Sequence, residues 1–160
     1  MPDIKAGIPC HSATIPQLIK SAAEHFGDKA FIIEGNYQLT FNQLLTQSRQ
    51  LAAALLSRGF ESGDRAAIWA PNMYQWVIAA LGIQTAGGVL VTINTRYKGS
   101  EAADLLRRGS VSILFSVGDF INNNYPELLA TEDIGDVQEI VVFNESFEGH
   151  SSWKNFIRSG

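Results

Sequence analysis

The chain has 160 residues, of which 46% are apolar and 18% charged. That balance describes one globular domain, or part of a larger one, and excludes a disordered chain. Twelve Lys and Arg against sixteen Asp and Glu give a net charge of -4, with Arg107-Arg108 the only adjacent basic pair, so a nucleic-acid surface is excluded as the main function. The single cysteine, Cys10, rules out an internal disulfide and fits a reducing, cytoplasmic setting. No stretch is long and apolar enough for a transmembrane helix.

Residues 1–13 are polar and read as a mobile leader, in which Cys10 is an ordinary thiol beside His11. Thr14, with Pro16 behind it, predicts a helix start. Leu18, Ile19, Ala22 and Phe26 then share a face until Gly27. Ala30 to Ile33 and Tyr37 to Leu39 predict a hairpin around the turn Glu34-Gly35-Asn36. Thr40-x-x-Gln43 is a capping-box pattern. It opens a helix whose stripe is Leu44, Leu45, Ser48, Leu51, Ala52 and Leu55, with Gly59 as its stop.

Beyond Gly63-Asp64 the pattern changes. Arg65 to Trp69 predicts a buried strand, Met73 to Ala86 an apolar helix and Val89 to Ile93 a β-branched strand. Ser100 to Arg108 predicts a helix with its acid early and its arginines late, as the helix dipole favours. Ile113 to Ser116 predicts a strand, Asp119 to Ala130 a helix, Glu139 to Phe143 a strand and Trp153 to Ile157 a short last helix. Strands alternating with helices imply βαβ units in a parallel sheet, helices on both faces, in one undivided α/β unit.

Four strings on this frame go further. Leu39-Thr40-Phe41-Asn42-Gln43-Leu44 resembles the early L-T-[FY]-x-x-L motif of the adenylate-forming (AMP-binding) enzymes. Gly63-Asp64-Arg65 through Ala70-Pro71-Asn72 resembles their G-D-R-V-A-I-x-x-P-N segment. Leu81-Gly82 through Ala86-Gly87-Gly88-Val89, and then Ile93-Asn94-Thr95-Arg96-Tyr97, resemble their L-G-x-x-x-A-G-[AG]-V and N-x-R stretches. Each string alone is common, whereas four in order are specific. The loop is most similar to those of fatty acyl-CoA and aryl-CoA ligases. Thr92 and Thr95 stand where the family often has proline, which frees a φ angle but keeps an N–H.

The resemblance implies the N-terminal subdomain of an ATP-dependent acyl-CoA ligase. Such enzymes join a carboxylate to AMP and pass the acyl group to CoA, with Mg2+ offsetting phosphate charge. The family's phosphate loop, T-S-G-T-T-G-x-P-K-G, has no counterpart in this sequence. The chain is therefore expected to stop short of that loop, to be inactive alone and to pack against the remainder of a ligase. The alternative is a non-catalytic module that pairs with an intact ligase subunit, and a homo-oligomer is a further expectation.

One binding residue is singled out: Arg96, which the resemblance implies could meet a phosphate of CoA. A guanidinium suits that task through its planar fork of donors; the competing reading is a solvated loop arginine. Lys98 reads as exposed. Asn72 reads as a cap for the following helix and Asn94 as a tie for its own loop. Asp119 reads as a helix cap, and Trp69, Trp76 and Trp153 as packing residues. Gly87-Gly88 lacks the rest of a G-x-G-x-x-G phosphate turn and reads as a helix stop.

Overall fold

A computed structural model describes residues 14–143 and 149–160. Residues 1–13, expected to be a leader and including Cys10 and His11, lie outside them. The first helix, α1 (Ile15–Phe26), starts at Thr14, whose hydroxyl accepts the Gln17 amide at 3.4 Å. Strands β1 (Ala30–Glu34) and β2 (Tyr37–Thr40) form an antiparallel hairpin. The reciprocal capping box then forms as expected. Gln43 N donates to Thr40 Oγ1 at 3.2 Å, and Thr40 N to Gln43 Oε1 at 2.9 Å. This launches α2 (Phe41–Leu56), which ends where Gly59 adopts a φ of 80° and Phe60 N donates to Leu55 O.

The main sheet has five parallel strands. They are β3 (Arg65–Trp69), β4 (Val89–Thr92), β5 (Val111–Ser116), β8 (Glu139–Val142) and β9 (Ser151–Ser152), in the order β4-β3-β5-β8-β9. The chain moves outward from β3 to β4 through α3 (Tyr74–Thr85). It then returns past β3 to β5 through α4 (Gly99–Arg108). Right-handed crossovers in opposite directions put those two helices on opposite faces. Packing agrees: α2 lies on α1, α3 and α6 (Trp153–Arg158), while α4 lies on α5 (Tyr125–Leu129). Both faces are covered, and β3 is buried from Ala66 to Trp69. The core gathers Leu51, Leu55, Ile68, Trp69, Ile78, Leu106, Phe115 and Phe156.

Two expectations are corrected. Asp119 to Ala130 is not one helix. It is a small hairpin, β6 (Asp119–Phe120) and β7 (Asn123–Asn124), followed by the single turn of α5. Ile121 and Asn122 hold the tight turn at φ values of 49° and 60°. Ile121, Tyr125, Leu128 and Leu129 mimic helical spacing, but the Asn122-Asn123-Asn124 run favours a turn. Asp119 therefore caps nothing. Asn124 does, its Oδ1 accepting the Glu127 amide at 3.1 Å.

Nor does Asn72 cap α3. Met73 stands at the cap position without a side-chain bond. The first helical amide, Tyr74 N, donates instead to Glu34 Oε2 of the hairpin at 2.8 Å. A carboxylate at a helix N-terminus is doubly favourable, as acceptor and as counter-charge to the dipole. Tyr37 stacks on Tyr74 with ring centroids 4.1 Å apart, so the hairpin is docked on α3 by two contacts. Burial, followed by the nearby Tyr37 and Glu34, raises the pKa of the Tyr74 phenol above its ordinary value of 10.0.

Candidate functional site

In open parallel sheets, ligands gather at the carboxyl ends of the strands, near the point where strand order reverses. Here that point lies between β3 and β5. The segments emerging there are Ala70 to Asn72 after β3, Ile93 to Lys98 after β4, and Val117-Gly118 after β5.

The β4 loop is held from several sides. Trp69 donates its indole N–H to Asn94 O at 3.0 Å, and Tyr97 N donates to the same oxygen at 3.0 Å. Asn94 Oδ1 accepts the Arg96 amide at 2.9 Å, so Asn94 ties its loop as its sequence position suggests. Tyr125 reaches from α5 and donates its phenol to Thr95 O at 2.7 Å. The Trp69 and Tyr125 rings stack, with centroids 4.3 Å apart and planes 16° from parallel. Lys98 N donates to Glu101 Oε2 at 2.8 Å, which fixes the exit into α4. Burial raises the pKa of the Tyr125 phenol above 10.0, so it remains a donor throughout the physiological range.

Arg96 sits at the tip of this braced loop. Its backbone is fixed by Asn94, its side chain is exposed, and its guanidinium makes no hydrogen bond or ion pair among the described residues. Lys98 is likewise exposed. A recess of about 510 Å3 opens beside the loop, lined by Pro71, Asn72, Trp76, Asn94, Thr95 and Tyr97. Arg96 is not among its lining residues. The arrangement therefore offers an unpaired cation on a braced loop whose neighbouring residues Thr95 and Tyr97 line a polar recess, and a guanidinium suits a phosphate or carboxylate.

The other motif residues are occupied in architecture. Arg65 donates Nε to Gly109 O at 3.0 Å and Nη2 to Ser110 O at 2.8 Å, which ties the end of α4 to the start of β3. Asp64 Oδ2 accepts the Glu61 amide at 2.8 Å and closes the preceding turn. Gly82 lets α3 approach α2, since a Cβ there would stand 2.5 Å from the Leu51 side chain. Gly87, at a φ of 85°, stops α3 with Gly88 N bonded to Ile83 O at 2.9 Å. Sequence reasoning missed the Tyr125 brace because a tyrosine behind three asparagines carries no signal for a partner 30 residues away. Among the described residues, no group of three or more His, Cys, Asp or Glu side chains is placed to hold a metal ion.

The profile of the family described as AMP-binding enzyme matches residues 19–155. With that match over most of its length, the chain belongs to the AMP-binding enzymes. A 3-[(3aS,4S,7aS)-7a-methyl-1,5-dioxo-octahydro-1H-inden-4-yl]propanoyl:CoA ligase of Rhodococcus jostii is 45% identical over 111 residues, covering 69% of this chain and 22% of that protein. A ligase of the same name from Mycobacterium tuberculosis is 33% identical over 148 residues, covering 92% and 29%. The anthranilate CoA ligase AuaEII, solved with anthranoyl-AMP, shares the fold at a TM-score of 0.81 and 21% identity, over 91% of this chain and 27% of its own. The fold is that of the N-terminal subdomain of acyl-CoA ligases. The chain spans about a quarter of the length of these relatives.

Proposed function

We propose that the chain is the N-terminal portion of an ATP-dependent acid–thiol ligase and is inactive alone. In the whole enzyme, the carboxylate would attack the α-phosphate of ATP, releasing pyrophosphate and leaving an acyl-adenylate. The CoA thiol would then displace AMP and lose its proton, giving the thioester. The observation that carries this reading is the family match over residues 19–155 on a fold shared with acyl-CoA ligases.

This chain's own contribution would be a scaffold and one anion contact. Arg96 would meet a phosphate of CoA, held in place by Asn94 and, through Thr95, by Tyr125. ATP and Mg2+ would be bound by later parts of the enzyme, since no phosphate loop stands in these residues. The acid is not selected here. The bicyclic propanoate named for the two bacterial relatives is the first to test.

The test is a hybrid enzyme in which this chain replaces the matched segment of the Rhodococcus ligase. The reading predicts acyl-CoA formation by the hybrid and none by the 160-residue chain. It further predicts that Arg96→Ala in the hybrid raises KM for CoA by about 10-fold, the loss of one charged hydrogen-bond pair, with KM for ATP unchanged. Turnover by the isolated chain would refute the reading.

A further inference from the structure

The short hairpin β6–β7 stands beside the β4 loop and carries a residue that its own turn disfavours. Tyr125 N donates to Gly118 O at 3.0 Å and closes the hairpin at its base. The same tyrosine donates its phenol to Thr95 O, next to Arg96. Gly99, at the start of α4, lies against Leu128 of α5, whose carbonyl a Cβ there would strike. The base of the hairpin is therefore locked to the loop. Each strand of the hairpin has two residues, so its tip lies only about 7 Å beyond that base.

The tip is Ile121-Asn122, and both residues are left-handed, with φ values of 49° and 60°. Asn123 Nδ2 donates to Ile121 O at 3.1 Å and helps to hold the turn. Asparagine adopts this backbone readily, whereas a β-branched side chain is crowded against the backbone there. Yet asparagine stands at 122, 123 and 124, and isoleucine at 121. Packing does not compensate, because Ile121 is 73% exposed. A strained residue that stabilises nothing in its own chain points to a role in binding. Tyr97, which follows Arg96 in the loop, is a second exposed apolar side chain at this end of the sheet. The carboxyl end of the sheet thus offers a free guanidinium together with apolar surface. A bare phosphate would use only the first. A phosphate carried on a larger molecule with uncharged parts, as in CoA, would use both.

We propose that Ile121 is a CoA-contacting residue, its side chain packing on an uncharged part of the molecule whose phosphate Arg96 holds. The inference rests on the reading of this chain as the N-terminal portion of a ligase. It adds the β6–β7 hairpin to the β4 loop as a second wall of the same site. Covering the isoleucine on binding offsets the strain that the turn carries in the free protein.

The test sets stability against binding. In the 160-residue chain, Ile121→Asn relieves the turn and raises the melting temperature by about 2 °C or more. In the hybrid with the Rhodococcus ligase, the same substitution raises KM for CoA by about 5- to 10-fold, the loss of one partly covered aliphatic side chain. KM for ATP and for the acid stays unchanged. Ile121→Leu keeps the apolar surface and holds KM for CoA within about 2-fold of the parent. An unchanged KM for CoA in Ile121→Asn would overturn the proposal, and so would a rise shared by ATP or the acid. A lower melting temperature for Ile121→Asn would overturn it too, because the isoleucine would then serve the fold. Where the hybrid makes no acyl-CoA, titration calorimetry of the hybrid with CoA decides. A Kd raised by Ile121→Asn supports the contact and counts against the ligase reading alone, whereas an unchanged Kd or no CoA binding overturns the contact.

Discussion

The α2–α3 interface and the β4 loop both carry family motif residues, and they use them differently. At the interface every such residue is consumed by packing: Gly82 admits Leu51, and Gly87 turns the chain out of α3. In the loop the motif divides. Asn94 is consumed in holding the backbone, while Arg96 is held and left free. Much of the family signature is therefore architecture, whereas the Arg96 guanidinium makes no hydrogen bond or ion pair among the described residues.

The sharpest way to break that contrast is at the root of α4, on which the loop depends. A Cβ on Gly99 would collide with the backbone carbonyl oxygen of Leu128, which cannot swing away as a side chain could. Gly99→Ala should cost roughly 3 kcal/mol or more in urea unfolding, because overpacking against backbone forces the α4–α5 contact apart. Arg65→Ala should cost about 1–3 kcal/mol by the same assay, since it strips partly buried charged donors from Gly109 O and Ser110 O.

Tyr125→Phe should cost about 1–2 kcal/mol, because Thr95 O loses its donor while the stack on Trp69 is kept. Burial of the Tyr125 phenol also carries a pH signature. The folded pKa of Tyr125 lies above its unfolded value of 10.0, so its contribution is fully present below pH 10 and is lost as pH rises through the folded value. Melting curves of Tyr125→Phe should therefore show a shallower alkaline fall than those of the parent chain, with the remainder including Tyr74. Arg96→Ala should be the smallest perturbation of stability, within about 0.5 kcal/mol, as for any exposed side chain without partners. A larger loss would show that Arg96 belongs with the architecture.

What could be read in the sequence follows from how local each signal is. The capping box at Thr40, the stop at Gly59, the β3–α3–β4–α4–β5 alternation and the Asn94 tie are written within a few residues of where they act. Glu34 as the cap of α3 and Tyr125 as the brace of Thr95 are not, since each joins partners 30 or more residues apart. Asp119 to Ala130 resembles a helix because its apolar residues fall at helical spacing, yet the turn preference of Asn122, Asn123 and Asn124 prevails. The position of Arg96 in a loop was legible; that its backbone is pinned while its side chain is free was not.

The most direct measurement is titration calorimetry of the purified chain with ATP and with CoA at physiological salt. The account predicts no ATP binding, and any CoA binding, however weak, abolished by Arg96→Ala. Tight ATP binding would contradict it, because that requires a triphosphate cradle such as the family's phosphate loop, which has no counterpart in this sequence.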